Sequence, residues 1–115
     1  KALQSVNAEA RKFNSTLKDV NKALKLDPTN TELLKEKQTA LGNSVENTRD
    51  KLMRLESMQD QIAQQYKAGK IDQGAYMQFQ LELENTRARL KKLEEQQKQF
   101  GNVAKQVLQE RKNND

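Results

Sequence analysis

Residues 33–66 read LLKEKQTALGNSVENTRDKLMRLESMQDQIAQQY. Within them Leu34, Gln38, Leu41, Val45, Thr48, Leu52, Leu55, Gln59, Ile62 and Tyr66 follow one another at alternating steps of four and three residues. That spacing keeps one narrow stripe on one side of a helix, the a/d ladder of helices packed along a seam. A second ladder lies upstream at Leu3, Val6, Ala10, Phe13, Leu17, Val20 and Leu24. A third lies downstream at Tyr76, Phe79, Leu83, Thr86, Leu90, Leu93, Gln97, Phe100, Ala104 and Val107. A narrow seam gives length and leaves no enclosed pocket. The pattern predicts an all-α protein, an elongated set of antiparallel helical hairpins forming a three-helix, coiled-coil-like bundle. Such a protein spans, spaces or assembles.

Composition agrees with thin helical packing. Of 115 residues, 34% are hydrophobic and 32% charged, and the mean hydropathy is −1.07. This is too polar for a thick core and suits long helices that bury one stripe and solvate the rest. Disorder is the rival reading of such polarity; three regular ladders and a single proline speak against it. The length suits one domain, read as a single helical segment over 1–115. The chain opens on Lys1 without Met and reads as a fragment of a longer protein. No signal-peptide pattern is read at its start. No apolar run approaches the roughly 20 residues of a membrane span.

The ends of the ladders carry stop and start signals. The first helix is expected over about 1–26, stopped by Asp27-Pro28, because proline cannot continue the hydrogen-bond ladder and restricts the residue before it. Thr29-Asn30-Thr31-Glu32 reads as a capping box with Thr29 as the cap. The second helix is expected over about 30–68, ended by Gly69. Asp72 caps the third, over about 73–111, and Ile71 with Tyr76 has the spacing of a hydrophobic staple. The last residues should fray.

Short turns make neighbouring helices antiparallel. Around the second turn the seams then pair Tyr66 with Tyr76, Ile62 with Phe79, Leu52 with Leu90 and Leu34 with Val107. Around the first they pair Leu24 with Leu34, Leu17 with Leu41, Phe13 with Val45 and Val6 with Leu52. The first helix therefore covers only the half of the long hairpin far from Gly69. The other half is two helices thick, which predicts self-association to a dimer or trimer.

Charge is unevenly spread. Lys and Arg outnumber Asp and Glu by six to two over residues 1–26, are matched six to seven over 27–68, and lead nine to seven over 69–115. The basic excess sits mainly on the first helix, where Lys12, Lys18, Lys22 and Lys25 point away from the seam. At most weak, non-specific, salt-sensitive nucleic-acid binding follows. The plainer reading is a solvated helix face.

Several polar features have two readings. Gln38, Thr48, Gln59, Thr86 and Gln97 interrupt the seams; they set register or receive a further helix, or they snorkel at the edge of a thin core. Asn7, Asn14 and Asn21 repeat every seven residues; they line an interface between copies or form a polar flank. Gly42-Asn43 and Gly101-Asn102 fall at one level of the hairpin, marking a bend or close crossing, or tolerated defects at about 1 kcal/mol per glycine.

Catalytic chemistry finds no residues to carry it. There is no Cys and no His, which removes thiol and imidazole catalysis and Cys/His metal centres. Glu82 and Glu84, like Glu94 and Glu95, point to different helix faces and form no convergent dyad. No Gly-rich phosphate loop is present. Phe13, Tyr66, Tyr76, Phe79 and Phe100 all fall on seam positions and are expected to pack in the core, leaving no platform for base stacking. No catalytic, cofactor-binding or metal residues are assigned, and no small-molecule substrate is expected.

The stretch from Phe13 to Glu95 resembles an N-terminal helical segment of tail tape measure proteins from long-tailed bacteriophages and prophages. FNSTLKDVNKALKLDPTNTELLKEKQTAL, ENTRDKLMRLE and YKAGKIDQGAYMQFQLELENTRARLKKLE carry the resemblance. Its most specific part is the turn LDPTNTELLKEKQ followed by a second turn, KAGKIDQGAY. ALKLDPTNTELL alone also looks like a junction between tetratricopeptide repeats, but the next helix far exceeds that repeat and no second junction follows.

The resemblance implies a virion protein and no enzyme. Such proteins occupy the lumen of the tail tube and their length sets tail length. Tail tube protein and tail assembly chaperones would be its partners, with host cytoplasm as the place of assembly. A hairpin complicates the measure, since it spans less than its residue count; the segment is then a plug or assembly module, or it opens in the tail. The alternatives are a cellular coiled-coil scaffold or adaptor, and a basic helical module binding nucleic acid or a membrane surface.

Overall fold

The computed structural model describes residues 2–114. Three helices account for nearly all of them: α1, Ala2–Leu26; α2, Thr31–Lys67; and α3, Gln73–Asn114. The all-α expectation holds, and the helix bounds fall close to those read from the ladders. Lys1 and Asp115 lie outside the described residues. The molecule measures 68 × 20 × 18 Å. No described helix is long and apolar enough to cross a membrane.

The turns are built by local hydrogen bonds. The cap of α2 is Asn30, not Thr29: its side-chain oxygen accepts from the amides of Glu32 at 3.0 Å and Leu33 at 3.1 Å. Its amide nitrogen also donates to Asp27 at 3.0 Å, so one side chain ties the turn to the helix. Asparagine caps at least as well as threonine, and this extra partner favours it here. At the other end the amide of Lys70 donates to the carbonyl of Gln65 and that of Gly69 to Tyr66, a complete Schellman motif. Gly69 has φ +74°, a conformation costly for any residue with a Cβ. Asp72 caps α3 by accepting from the amide of Ala75 at 2.8 Å.

Helix α2 is central. It packs against α1 on one side and α3 on another, while α1 and α3 do not pack on each other. The α2–α3 register is the expected one. Tyr66 and Tyr76 stack with ring centroids 4.4 Å apart. Farther along, Glu56 meets Arg87 at 3.2 Å and Arg49 meets Glu94 at 2.6 Å. These ion pairs are about half exposed and each adds little stability, but they mark the alignment. In the α1–α2 hairpin Leu17 and Leu24 share one concave surface with Leu41 and Leu34, as the ladders pair them. The pairing gains a polar clasp that the ladders do not show: the Asn47 side-chain amide donates to the carbonyl of Val6 at 3.1 Å and to Glu9 at 3.4 Å. α3 occupies the apolar seam of α2, so α1 docks on the adjoining stripe of Ala40, Ser44 and Asn47, all buried.

Burial is confined to the three-helix half. Val6, Val20, Leu34, Leu41, Val45, Leu55, Leu83, Leu93 and Ala104 are buried, whereas no residue from Glu56 to Glu82 is. The end near Gly69 is thus a two-helix arm. The expectation that all five aromatics are core fails: two helices cannot enclose Tyr66, Tyr76 and Phe79 in the arm, and in the three-helix half Phe13 and Phe100 border surface depressions. Tyr66 is exposed, and Phe13, Tyr76, Phe79 and Phe100 are half-buried. The Lys37 ammonium lies 4.6 Å from the Phe100 ring centroid and covers part of it, and partial burial lowers the Lys37 pKa.

The glycine pair at one level marks no close crossing. A Cβ on Gly42 would come only to 3.6 Å from Gln97 Nε2, and one on Gly101 would meet nothing within 4 Å. Gly42→Ala and Gly101→Ala should each stabilise the fold by about 1 kcal/mol, and Gly69→Ala should destabilise it by about the same. Thermal melts followed by circular dichroism check the three signs.

Candidate functional site

The clearest concave surface follows from how α2 holds its neighbours. α1 and α3 run parallel, both antiparallel to α2, and leave a groove between them with α2 as its floor. At one end it is lined by Ala10, Arg11 and Asn14 of α1, Lys51 of α2, and Gln78, Asn85 and Arg89 of α3. At the other it is lined by Leu17, Asn21 and Leu24, by Leu34, Lys37 and Leu41, and by Gln96, Gln99, Phe100 and Val103. One end is polar and cationic, the other more apolar.

Among the described residues a single hydrogen bond bridges the groove. Arg89 Nη2 donates to Asn14 Oδ1 at 2.5 Å, using one of five guanidinium donors. Glu82 is the one carboxylate among the lining residues, and Lys51 already pairs with it at 3.1 Å. Arg11 and Arg89 have no acidic partner among the described residues. Lys18 and Lys25 recur seven and fourteen residues after Arg11, so the helical repeat places them along the same rim of α1.

The structure sorts the polar features of the sequence. Asn14 and Asn21 face this intramolecular groove. Thr48 and Thr86 are buried in the seam, their hydroxyls donating to the carbonyls of Ser44 and Glu82 at 2.7 Å. Those bonds satisfy them within their own helices, so they neither snorkel nor await a further helix. Gln38 is exposed, and Gln59 and Gln97 are half-buried. Ser44 Oγ is buried without a hydrogen-bond partner. Lys12, Lys18, Lys22 and Lys25 are exposed, but Lys12 lies on the far side of α1, beside Glu32 and Glu36.

The groove was not foreseen from the ladders. It depends on α1 and α3 choosing adjacent stripes of α2. The only sequence trace is the scarcity of acids at the flanking positions 85, 89, 92, 96, 99 and 103 of α3.

The face behind the groove has the opposite charge. Glu32, Glu36, Thr39, Asn43, Glu46, Asp50, Met53, Ser57, Asp60 and Gln64 follow the four-three spacing of a helix stripe and include no base. All but Asp50 are exposed. At mid-length Glu46 and Asp50 share a shallow depression with Glu9 and Phe13 of α1. Among the described residues no three carboxylates are placed to hold a metal ion.

Compared with protein-family models, curated proteins and solved structures, the chain matches none.

Proposed function

We propose that this chain is a structural module of a bacteriophage tail, a tape-measure segment that occupies the tail-tube lumen and contributes to tail length. The resemblance of residues 13–95 to that family supplies the phage assignment. The observation that carries the mechanical role is the shape: the described residues fold into a rod 68 Å long and 20 × 18 Å across. Its exterior is mostly polar, with Leu26, Met53, Met77, Leu81 and Val103 among the scattered exposed apolar residues, which suits a segment that must be sheathed and released. Tube protein and assembly chaperones are the partners this role demands, and catalysis forms no part of it.

The test is an in-frame deletion of residues 2–114 from the parent gene, with tail lengths measured by electron microscopy. If the bundle stays folded in the tail, tails shorten by at most its length of 68 Å. If it opens into one continuous helix, the same residues span about 170 Å, at about 1.5 Å each. Either shortening supports the role and reports the state of the hairpin. Tails of unchanged length, or purified virions lacking the chain, overturn it.

A further inference from the structure

We infer that copies of this chain associate in an open-ended, groove-to-ridge manner, the acidic stripe of one copy's α2 lying in the basic α1–α3 groove of the next. The inference rests on the geometry and charge of the two faces and stands apart from the phage assignment.

Three observations carry it. First, the groove is the vacant position of a four-helix bundle. α1 and α3 flank α2 without packing on each other, and between them lie half-buried Leu17 and Phe100 and exposed Val103. A fourth helix is the element that covers such a floor. Second, the charges are complementary. Arg11, Lys37 and Arg89 line the groove, while Glu9, Glu46 and Asp50 line a depression on the opposite side of the α1–α2 layer whose lining includes no base. Asp50 also pairs with Arg54 on its own helix at 3.2 Å, which leaves acceptor positions on that carboxylate. Third, the lengths agree. The groove runs from the level of Gln78 to that of Val103, about 38 Å, and the stripe from Glu32 to Asp60, about 42 Å, at about 1.5 Å per residue.

Charge also rules on the mode. A two-fold dimer formed groove to groove would set Arg11, Lys37 and Arg89 against their own copies, and like charges there are costly. Ridge to ridge would do the same with acids. The groove and ridge are different surfaces of one chain, so their contact is heterologous and leaves a free groove and a free ridge at the ends. Met53, 65% exposed in the middle of the stripe, is the apolar residue the ridge brings to the groove.

Sedimentation velocity on the purified chain at low ionic strength should show a concentration-dependent series of species. The apparent association constant should fall by about tenfold or more between about 20 and 300 mM salt, because these charges lie at the surface. Two charge-reversed variants decide the geometry. R11E/R89E makes the groove acidic, and E46K/D50K makes the ridge basic. Each alone should sediment as a monomer with its 222-nm ellipticity intact. Mixed in equal amounts at low salt they should associate again, since each ridge then fits the other's groove. Should R11E/R89E lose helicity, K18E/K92E reverses exposed positions on the same rims and carries the same comparison. A wild-type chain that stays monomeric at about 100 μM, a single variant that associates like wild type, or a mixture that stays monomeric overturns the inference.

Discussion

Leu83→Ala should cost the fold about 3 kcal/mol, within the range for removing a buried leucine side chain. Leu83 is 1% exposed and Leu55, close to the same level on α2, is 2% exposed. They sit where the three-helix half gives way to the two-helix arm, so every other source of burial lies on one side of them. The loss combines the transfer free energy of the deleted atoms with a cavity that helices held by ion pairs on both flanks fill poorly. Ile62→Ala is the control. Ile62 lies in the arm and is half-buried, so it should cost about 1 kcal/mol. Urea denaturation followed at 222 nm gives both values. Equal losses at the two sites would show that the arm is as well packed as the centre, against the distribution of burial.

The arm also bears on where burial arises in a chain so poor in apolar residues. The ladders run evenly through all three helices, yet buried positions cluster where α1 adds a third layer. A seam between only two helices leaves each side chain open on two flanks, which is why Tyr66 and Tyr76 stack on each other and still reach solvent. Leu81 and Met77, 55% and 54% exposed, add apolar surface to the arm on faces away from the seam.

How much was legible in the residues follows the same division. The α2–α3 hairpin was readable because two apolar ladders meet across a turn whose Gly69 and Asp72 have unambiguous chemistry. Its register was readable because turn length leaves little freedom. The docking of α1 was readable only in part. Hydrophobic periodicity shows the face α1 offers, but the face that receives it is Ala40, Ser44 and Asn47, which a hydrophobicity pattern scores as surface. Asn47 is specified by hydrogen bonds to Val6 and Glu9 that only the folded arrangement reveals. The cap at Asn30 was missed for a related reason: Thr29 and Asn30 are both competent, and the contact with Asp27 favours the second. The groove inherits the uncertainty in α1, since it exists only once α1 and α3 take neighbouring stripes of α2.

Val20→Asp should release α1 at neutral pH. Val20 is 5% exposed, and among the described residues the ion pairs of the bundle involve none of its neighbours on α1. A carboxylate there would be buried without a partner, at a cost of several kcal/mol. The alternative open to the chain is to undock α1, which a turn of only four residues, Asp27 to Asn30, connects to α2. Once undocked, α1 keeps little helix, because most helical stability of such segments comes from packing an apolar face. α1 holds 25 helical residues against 37 in α2 and 42 in α3, so the 222-nm ellipticity should fall by about a quarter while the α2–α3 hairpin persists. The pH dependence has a definite sign. Burial raises the pKa of an aspartate, so the docked form takes up a proton more readily than the undocked one, and acidification favours docking. Ellipticity lost at pH 7 should therefore be partly regained as the pH falls below about 5. Lys18→Asp, two residues away on the exposed rim, should leave the spectrum unchanged at both pH values. A Val20→Asp protein that keeps full helicity at neutral pH and melts like the parent would mean that α1 is held by its polar contacts, Asn47 to Val6 and Arg89 to Asn14, and not by the apolar stripe it buries.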